Sequence, residues 1–358
     1  MNRIFSFVLS ALLAVTFTTA QAQQYILIWK SNGALSIKSV TQSDSLTFTG
    51  DKIFDISTSE PISVANDIIH AKANIAWNKK VKSLPKIAEL GVCFSSTNVT
   101  PTYADEHICL DSSDKNYGFF EDTYDFTLNN LNQKTTYYYR TYFKLGDEIF
   151  YGNVYFAKTV EKVNYTINGH KFVDLGLPSG LLWAESNVGA SSPTEKGDYF
   201  AWGETEPKSI YSWDTYRWTD EFNKYSGLDN KAILDAEDDV ATAKWGAKCR
   251  MPSKSDFEEL KEKCDWIWQS NYQGTSGFIV IGPNGNSLFL PNAGMAISNY
   301  VRGSELCYWT RNLGNDYSDF YVSYDVAYFF HFSIYSYESD IDINDRCCGL
   351  PVRPVAEK

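Results

Sequence analysis

Eight of the chain's ten tryptophans lie between residues 163 and 355, at Trp183, Trp202, Trp213, Trp218, Trp245, Trp266, Trp268 and Trp309. Rings of that size need a core to hide in. Yet the sequence around them is punctuated by glycine loops and has few helical periods. A compact, loop-rich α+β domain spanning 161–358, with short helices and scattered strands, reconciles the two. One helix is expected from Asp235 to about Trp245, with Gly246 as its stop. A second is capped by Ser253 and buries a stripe of Phe257, Leu260 and Cys264.

Residues 51–160 read differently. Runs at 70–77, 89–95, 124–128, 136–145 and 150–157 alternate with turns and carry no helical period, which suits an all-β, immunoglobulin-like sandwich. Residues 23–50 read as a lone hairpin, with a strand at 25–29, a turn at Ser31-Asn32-Gly33 and a weaker run ending at Leu46-Thr47-Phe48. Residues 1–22 have the pattern of a signal peptide: Arg3, an uncharged apolar run over 4–17, then Ala20-Gln21-Ala22. That run is shorter than the roughly 20 residues a membrane-spanning helix needs. No later stretch reaches that length, so the mature chain is expected at the cell surface, in a periplasm or outside the cell, with no membrane span.

The net charge of −12 repels phosphate backbones, and no basic run offsets it, so nucleic acid is not an expected partner. Seven cysteines in an exported chain permit disulfides and leave at least one thiol over. Cys93 and Cys109 are placed to bridge neighbouring strands. No C-x-x-C spacing suggests a zinc ribbon, and Cys347-Cys348, being adjacent, are poor geometry for a shared metal. The four histidines, His70, His107, His170 and His331, lack metal-ligand spacing. No G-x-S-x-G elbow or phosphate-binding glycine loop is present, and the Asp340–Asn344 string fails as a calcium loop because Asp345 takes its glycine position. No catalytic residue, metal or cofactor is expected.

Toward the C-terminus the pattern alternates with period two. Phe320, Val322, Tyr324, Val326, Tyr328, Phe330, Phe332 and Ile334 fall on one face, expected to meet the core. Tyr321, Ser323, Asp325, Ala327, Phe329, His331, Ser333 and Tyr335 fall on the other, expected in water. Asp340, Asp342 and Asn344 alternate with Ile341 and Ile343 beyond a turn. Exposed Tyr, Ser, Asn and Asp resemble a paratope, with stiff amphipathic rings beside adaptable polar groups. The expected ligand-binding set is Arg311, Asn312, Tyr317, Tyr321, Ser323, Asp325, His331, Ser333, Tyr335, Tyr337, Asp340, Asp342 and Asn344.

Several strings together carry a family resemblance: 173–184 (VDLGLPSGLLWA), 187–190 (NVGA), 197–205 (GDYFAWGET), Trp245-Gly246, Arg250-Met251-Pro252-Ser253, 282–287 (GPNGNS), Phe289-Leu290-Pro291, Tyr308-Trp309 and Val352-Arg353-Pro354-Val355. The second domain resembles the Fibrobacter succinogenes major paralogous domain. This implies a C-type-lectin-like fold related to the formylglycine-generating-enzyme-like fold, in which residues 165–175 pair with 349–355. Residues 131–137 resemble the start of the sixth strand of fibronectin type III domains, implying a corner in which the Tyr137 hydroxyl ties to nearby backbone. Some C-type-lectin-like proteins are targets of diversity-generating retroelements. Residues 310–349 contain no Lys, Gln, Met or Trp and one Glu, five types that randomising the adenines of an AAC codon cannot produce. The reading is a secreted or surface binding protein, an adhesin whose C-terminal face, diversified or not, meets a protein or glycan. A structural subunit of a surface complex is the alternative, and an oxidase of the formylglycine-generating type a more distant one.

Overall fold

Period-two alternation shapes the first half of the chain. In the strand Thr136–Leu145, Tyr137, Tyr139, Thr141, Phe143 and Leu145 are all buried, as a half-buried sheet face requires. The structure is a computed structural model, and the residues described are 24–29, 35–40, 54–77, 88–112, 123–218, 224–226, 229–303, 305–317, 322–333 and 338–358. The chain divides into two compact units between Thr159 and Val160. It is rich in β-sheet, with two short α-helices among the described residues. None is long and apolar enough to cross a membrane.

In the first unit Gln24–Trp29 pairs with Leu35–Val40 as a hairpin. The expected end of the second run, at 46–48, lies outside the described residues. One sheet gathers Phe54–Thr58, Ser63–Val64 and Thr123–Leu128 around Ile69–Trp77. A second runs Glu148–Tyr151, Thr136–Leu145, Ala88–Ser95, Glu106–Ser112, with Tyr155–Lys158 also on Thr136–Leu145. Ile69, Ala71 and Ala73 from the first sheet meet Val92, Phe94 and Tyr139 from the second in one core. The Tyr137 hydroxyl accepts the backbone N–H of Asn132 at 3.0 Å. The expected run at 150–157 is two strands, because the chain leaves the ladder where Asn153 bonds across to the first sheet. Its side chain accepts from Thr58 N at 3.0 Å and donates to Thr58 O at 3.1 Å. No bridge joins Cys93 and Cys109: Cys93 lies opposite His107 and Cys109 opposite Gly91, out of register, and all seven cysteines are free thiols.

In the second unit a sheet runs Asn164–Ile167, His170–Asp174, Leu182–Ala184, Val355–Ala356, Cys249–Arg250. The expected pairing of 165–175 with 349–355 is corrected by one strand. Residues 164–174 fold on themselves as a hairpin, turned by Asn168 and Gly169 at positive φ, and the closing strand pairs instead with Leu182–Ala184 and Cys249–Arg250. The helix Val240–Trp245 starts later than expected because the buried Asp239 is its cap, accepting from Thr242 N; Gly246 ends it as expected. The helix Lys254–Lys263 has Ser253 and Asp256 in a capping box and buries Phe257 and Leu260. Trp183, Trp202 and Trp309 are fully buried, and the Trp202 and Trp309 indoles donate to the carbonyls of Thr310 and Phe200 at 2.9 and 2.8 Å.

The closing strand is only two residues long, and the Arg353 side chain just before it does much of the fastening. Fully buried, its guanidinium donates to the carbonyls of Ala184 at 3.2 Å, Phe289 at 3.0 Å and Glu185. Removing it leaves three acceptors without partners in a dry core, each costing on the order of 1–3 kcal/mol. Arg353→Met is expected to lower stability by about 3 kcal/mol or more, read by urea denaturation with tryptophan fluorescence; a midpoint equal to wild type would remove this role.

Candidate functional site

The expected recognition face rests on a three-stranded sheet ordered Leu306–Leu313, Val326–Ser333, Glu338–Asp345. Its middle strand is buried on both faces, not one. Phe330 and Phe332 pack with Phe257, Leu260 and Tyr308 on one side, as expected. Ala327 and Phe329 pack with Trp309 and Leu313 on the other, which corrects their placement in water. A strand with core on both sides reads as a continuous apolar run, and Val326-Ala327-Tyr328-Phe329-Phe330 is one. The predicted outer face survives at its margin: Asp325, Asp340 and Asp342 are exposed, and His331, half-buried, stacks on Phe329 with ring centroids 5.3 Å apart.

Three expected ligand residues make contacts that hold the fold. Arg311 reaches inward, donating to Leu234 O at 3.2 Å, with Nε 3.9 Å from the buried Asp239 carboxylate. Burial pushes the Asp239 carboxyl up, against the pull of N–H donors from Thr242 and Met251. Asn312 accepts the first helical N–H, from Lys254, at 2.9 Å. Asp325 accepts Arg346 N through its carbonyl at 3.0 Å, and its carboxylate lies 3.8 Å from the Arg346 guanidinium. Tyr317, Ser323 and Ser333 sit in strands whose side chains there are not described, and Tyr321, Tyr335 and Tyr337 lie outside the described residues.

Asp340, Asp342 and Asn344 have a task that period-two reasoning missed. Their side-chain oxygens accept the N–H of the residue that follows: Ile341 at 2.8 Å, Ile343 at 2.8 Å and Asp345 at 3.0 Å. Glu338–Asp345 is an end strand, and alternate N–H groups of such a strand face away from its neighbour. Short acceptors one residue back close off those donors, which takes away the donor half of the ladder a second chain would extend.

Beside this sheet is a pocket of about 280 Å³ that the sequence did not suggest. The hairpin Met295–Ile297 with Tyr300–Arg302 forms one wall, and Asp198, Tyr199, Lys208 and Tyr211 line the other. Tyr211 is locked against Gly349, where an added Cβ would come within 2.6 Å of its ring. Its hydroxyl donates to Tyr199 O at 2.5 Å and accepts from Lys208 N at 3.2 Å. The Tyr199 hydroxyl donates to Ala293 O at 2.6 Å, and burial pushes its pKa up to about 12. Lys208 Nζ binds Glu204 at 2.8 Å and Thr215 O at 2.9 Å. Tyr300 and Val301, at 57% and 48% exposure, form the rim. Asn344 joins pocket and sheet, its amide 3.6 Å from the Met295 sulfur. The string Gly197-Asp198-Tyr199 was visible in the sequence as a family motif, but nothing local marked it as a pocket wall, and Tyr300 carried no signal at all.

No family model and no curated protein matches this chain. Among solved structures it is similar to the sensor domain of the anti-sigma factor RsgI4 in Pseudobacteroides cellulosolvens. A short form matches at 10% identity and TM-score 0.22, over 30% of this chain and 96% of that one. A long form matches at 12% identity and TM-score 0.22, over 32% and 98%. A TM-score that low carries no argument about this chain.

Two outcomes follow from these contacts. Replacing Asp340 and Asp342 together by alanine bares two edge donors and is expected to give concentration-dependent association in sedimentation velocity, while the double asparagine variant stays like wild type; an alanine pair that sediments like wild type would refute the capping role. Because folding holds the Tyr199 phenol protonated to about pH 12 against an ordinary value near 10, its contribution to stability is complete below about pH 10 and is lost as pH rises toward 12. Alkaline unfolding curves should therefore fall more steeply over that window for wild type than for Tyr199→Phe.

Proposed function

We propose that this chain is an exported, non-catalytic binding protein. In this reading a fibronectin type III-like sandwich is followed by a C-type-lectin-like domain of the Fibrobacter succinogenes major paralogous type, and that domain holds a surface glycan. The sheet order of the first unit, with its Tyr137–Asn132 corner, supports the first half of the reading. A closing strand seated one place from the opening hairpin supports the second.

The observation that carries the function is the pocket. Sugars offer C–H faces to aromatic rings and hydroxyls to paired polar groups. Tyr199, Tyr211 and Tyr300 stand around the site with Asp198, Ser298 and Asn299. Concave, partly apolar sites with a few placed polar groups are where small ligands bind. One carboxylate, Asp198, is among the lining residues, where glycoside hydrolysis calls for a pair. A partner protein is the second reading, favoured by the exposure of Tyr300 and Val301 at the rim and of Ile210 next to the lining Tyr211.

A glycan array followed by calorimetry on the best oligosaccharide tests it. Tyr300→Ala is expected to weaken binding by about tenfold, the loss of one stacking ring, and Asn299→Ala to weaken it as well. Undiminished affinity in both variants would move the ligand away from the pocket.

A further inference from the structure

Adjacent side chains on a strand point to opposite faces, so a Cys-Cys pair in a strand cannot share a ligand. Here the pair lies just past the strand Glu338–Asp345, in a turn closed by Cys348 N donating to Asp345 O at 3.0 Å. That turn brings both sulfurs to one side. The two sulfurs and an Asp345 carboxylate oxygen all lie within 4.8 Å of one another. This overturns the expectation that adjacency spoils the geometry.

The cluster is preformed. On its far side Gly349 is bridged to Ala296 and pressed by the Tyr211 ring, and Leu350 is bridged to Phe200. On its near side the buried Arg346 donates to Tyr225 O at 3.1 Å and stacks over Tyr216. Cys347 and Cys348 are buried, while Asp345 is exposed and opens the site to solvent. A contrast lies in the group Asp235, Glu237 and Asp238. There the Lys224 ammonium already sits against all three carboxylates, so a cation is in place. At the thiol group Lys208 acts on Cys347 only through its field, and among the described residues no ammonium or guanidinium is ion-paired with Asp345.

We infer that Asp345, Cys347 and Cys348 form a binding site for a thiophilic divalent cation of the zinc class. Two sulfurs and one carboxylate oxygen are a donor set that borderline d¹⁰ cations favour, leaving a fourth tetrahedral position toward solvent. Binding is a ligand exchange: two S–H bonds break, two sulfur–metal bonds form, and two protons pass to water, with no change of oxidation state. The site lies in the segment bearing Asp340, Asp342 and Asn344, so its occupancy would fix the C-terminal end of that strand.

Cadmium serves as the probe, titrated into the reduced, metal-free, full-length protein without oxygen. The expected result is a thiolate-to-cadmium charge-transfer band that saturates at one cation per chain, with two protons released. Cys347→Ser and Cys348→Ser should each abolish that saturating band, Asp345→Asn should weaken binding, and Cys109→Ser, which removes the exposed thiol, should leave it unchanged. Should the serine variants fold poorly, wild type alone decides, because bound cadmium must slow alkylation of Cys347 and Cys348 relative to the metal-free protein, as read by mass spectrometry. Unprotected thiols, or a stoichiometric band that persists in the double serine variant, would overturn the site.

Discussion

A positive charge sealed into a core and held by backbone carbonyls organises the second unit. Arg353 sits between the strands that supply Ala184 and Phe289, and Glu185 lends its carbonyl while its carboxylate turns to Lys162. Burial pulls the guanidinium's pKa down, but arginine does not lose its proton in proteins, so the charge persists and its two terminal nitrogens are met by carbonyls. A planar fork reaches several acceptors from one point. A two-residue closing strand has too few ladder bonds to hold the sheet by itself, and the fork compensates.

The same economy explains where recognition is possible. The central strand Val326–Ser333 separates two cores, one containing Phe257 and Phe330 and the other containing Trp309 and Phe329. A strand with that duty has little surface left to offer. What remains exposed is gathered at its margins: the end strand with Asp340 and Asp342, the ring of His331, and the hairpin of Tyr300 and Val301 with the pocket beneath it.

Where the chain's periodicity had one cause, it could be read. The capping of the second helix by Ser253, the stop at Gly246 and the burial of Phe330 and Phe332 were all legible, because local backbone chemistry or a single core decided each. Reading failed where a residue answered to two neighbours. Phe329 looked solvent-facing because its strand was taken to have one core, although an apolar ring in an otherwise polar set was the warning. Arg311 and Asn312 looked available, but their partners, Leu234 and the N–H of Lys254, are distant in sequence. The pocket was invisible for the same reason, since Tyr199, Tyr211 and Tyr300 converge through the Tyr211–Tyr199 hydrogen bond and the bridges at Ser298 and Gly349.

The self-closing edge bears on how far the C-terminal segment can vary. Positions 340, 342 and 344 must each supply an oxygen on a short stem, or the strand is left open to pairing with a stranger. Aspartate, asparagine and, more weakly, serine meet that demand; long or apolar side chains do not. A population of related chains could therefore differ freely in what the neighbouring rim displays, yet keep a narrow alphabet at every second position of this strand. A pattern that resembles diversity tuned to a ligand would in part be the imprint of a backbone that must not be copied.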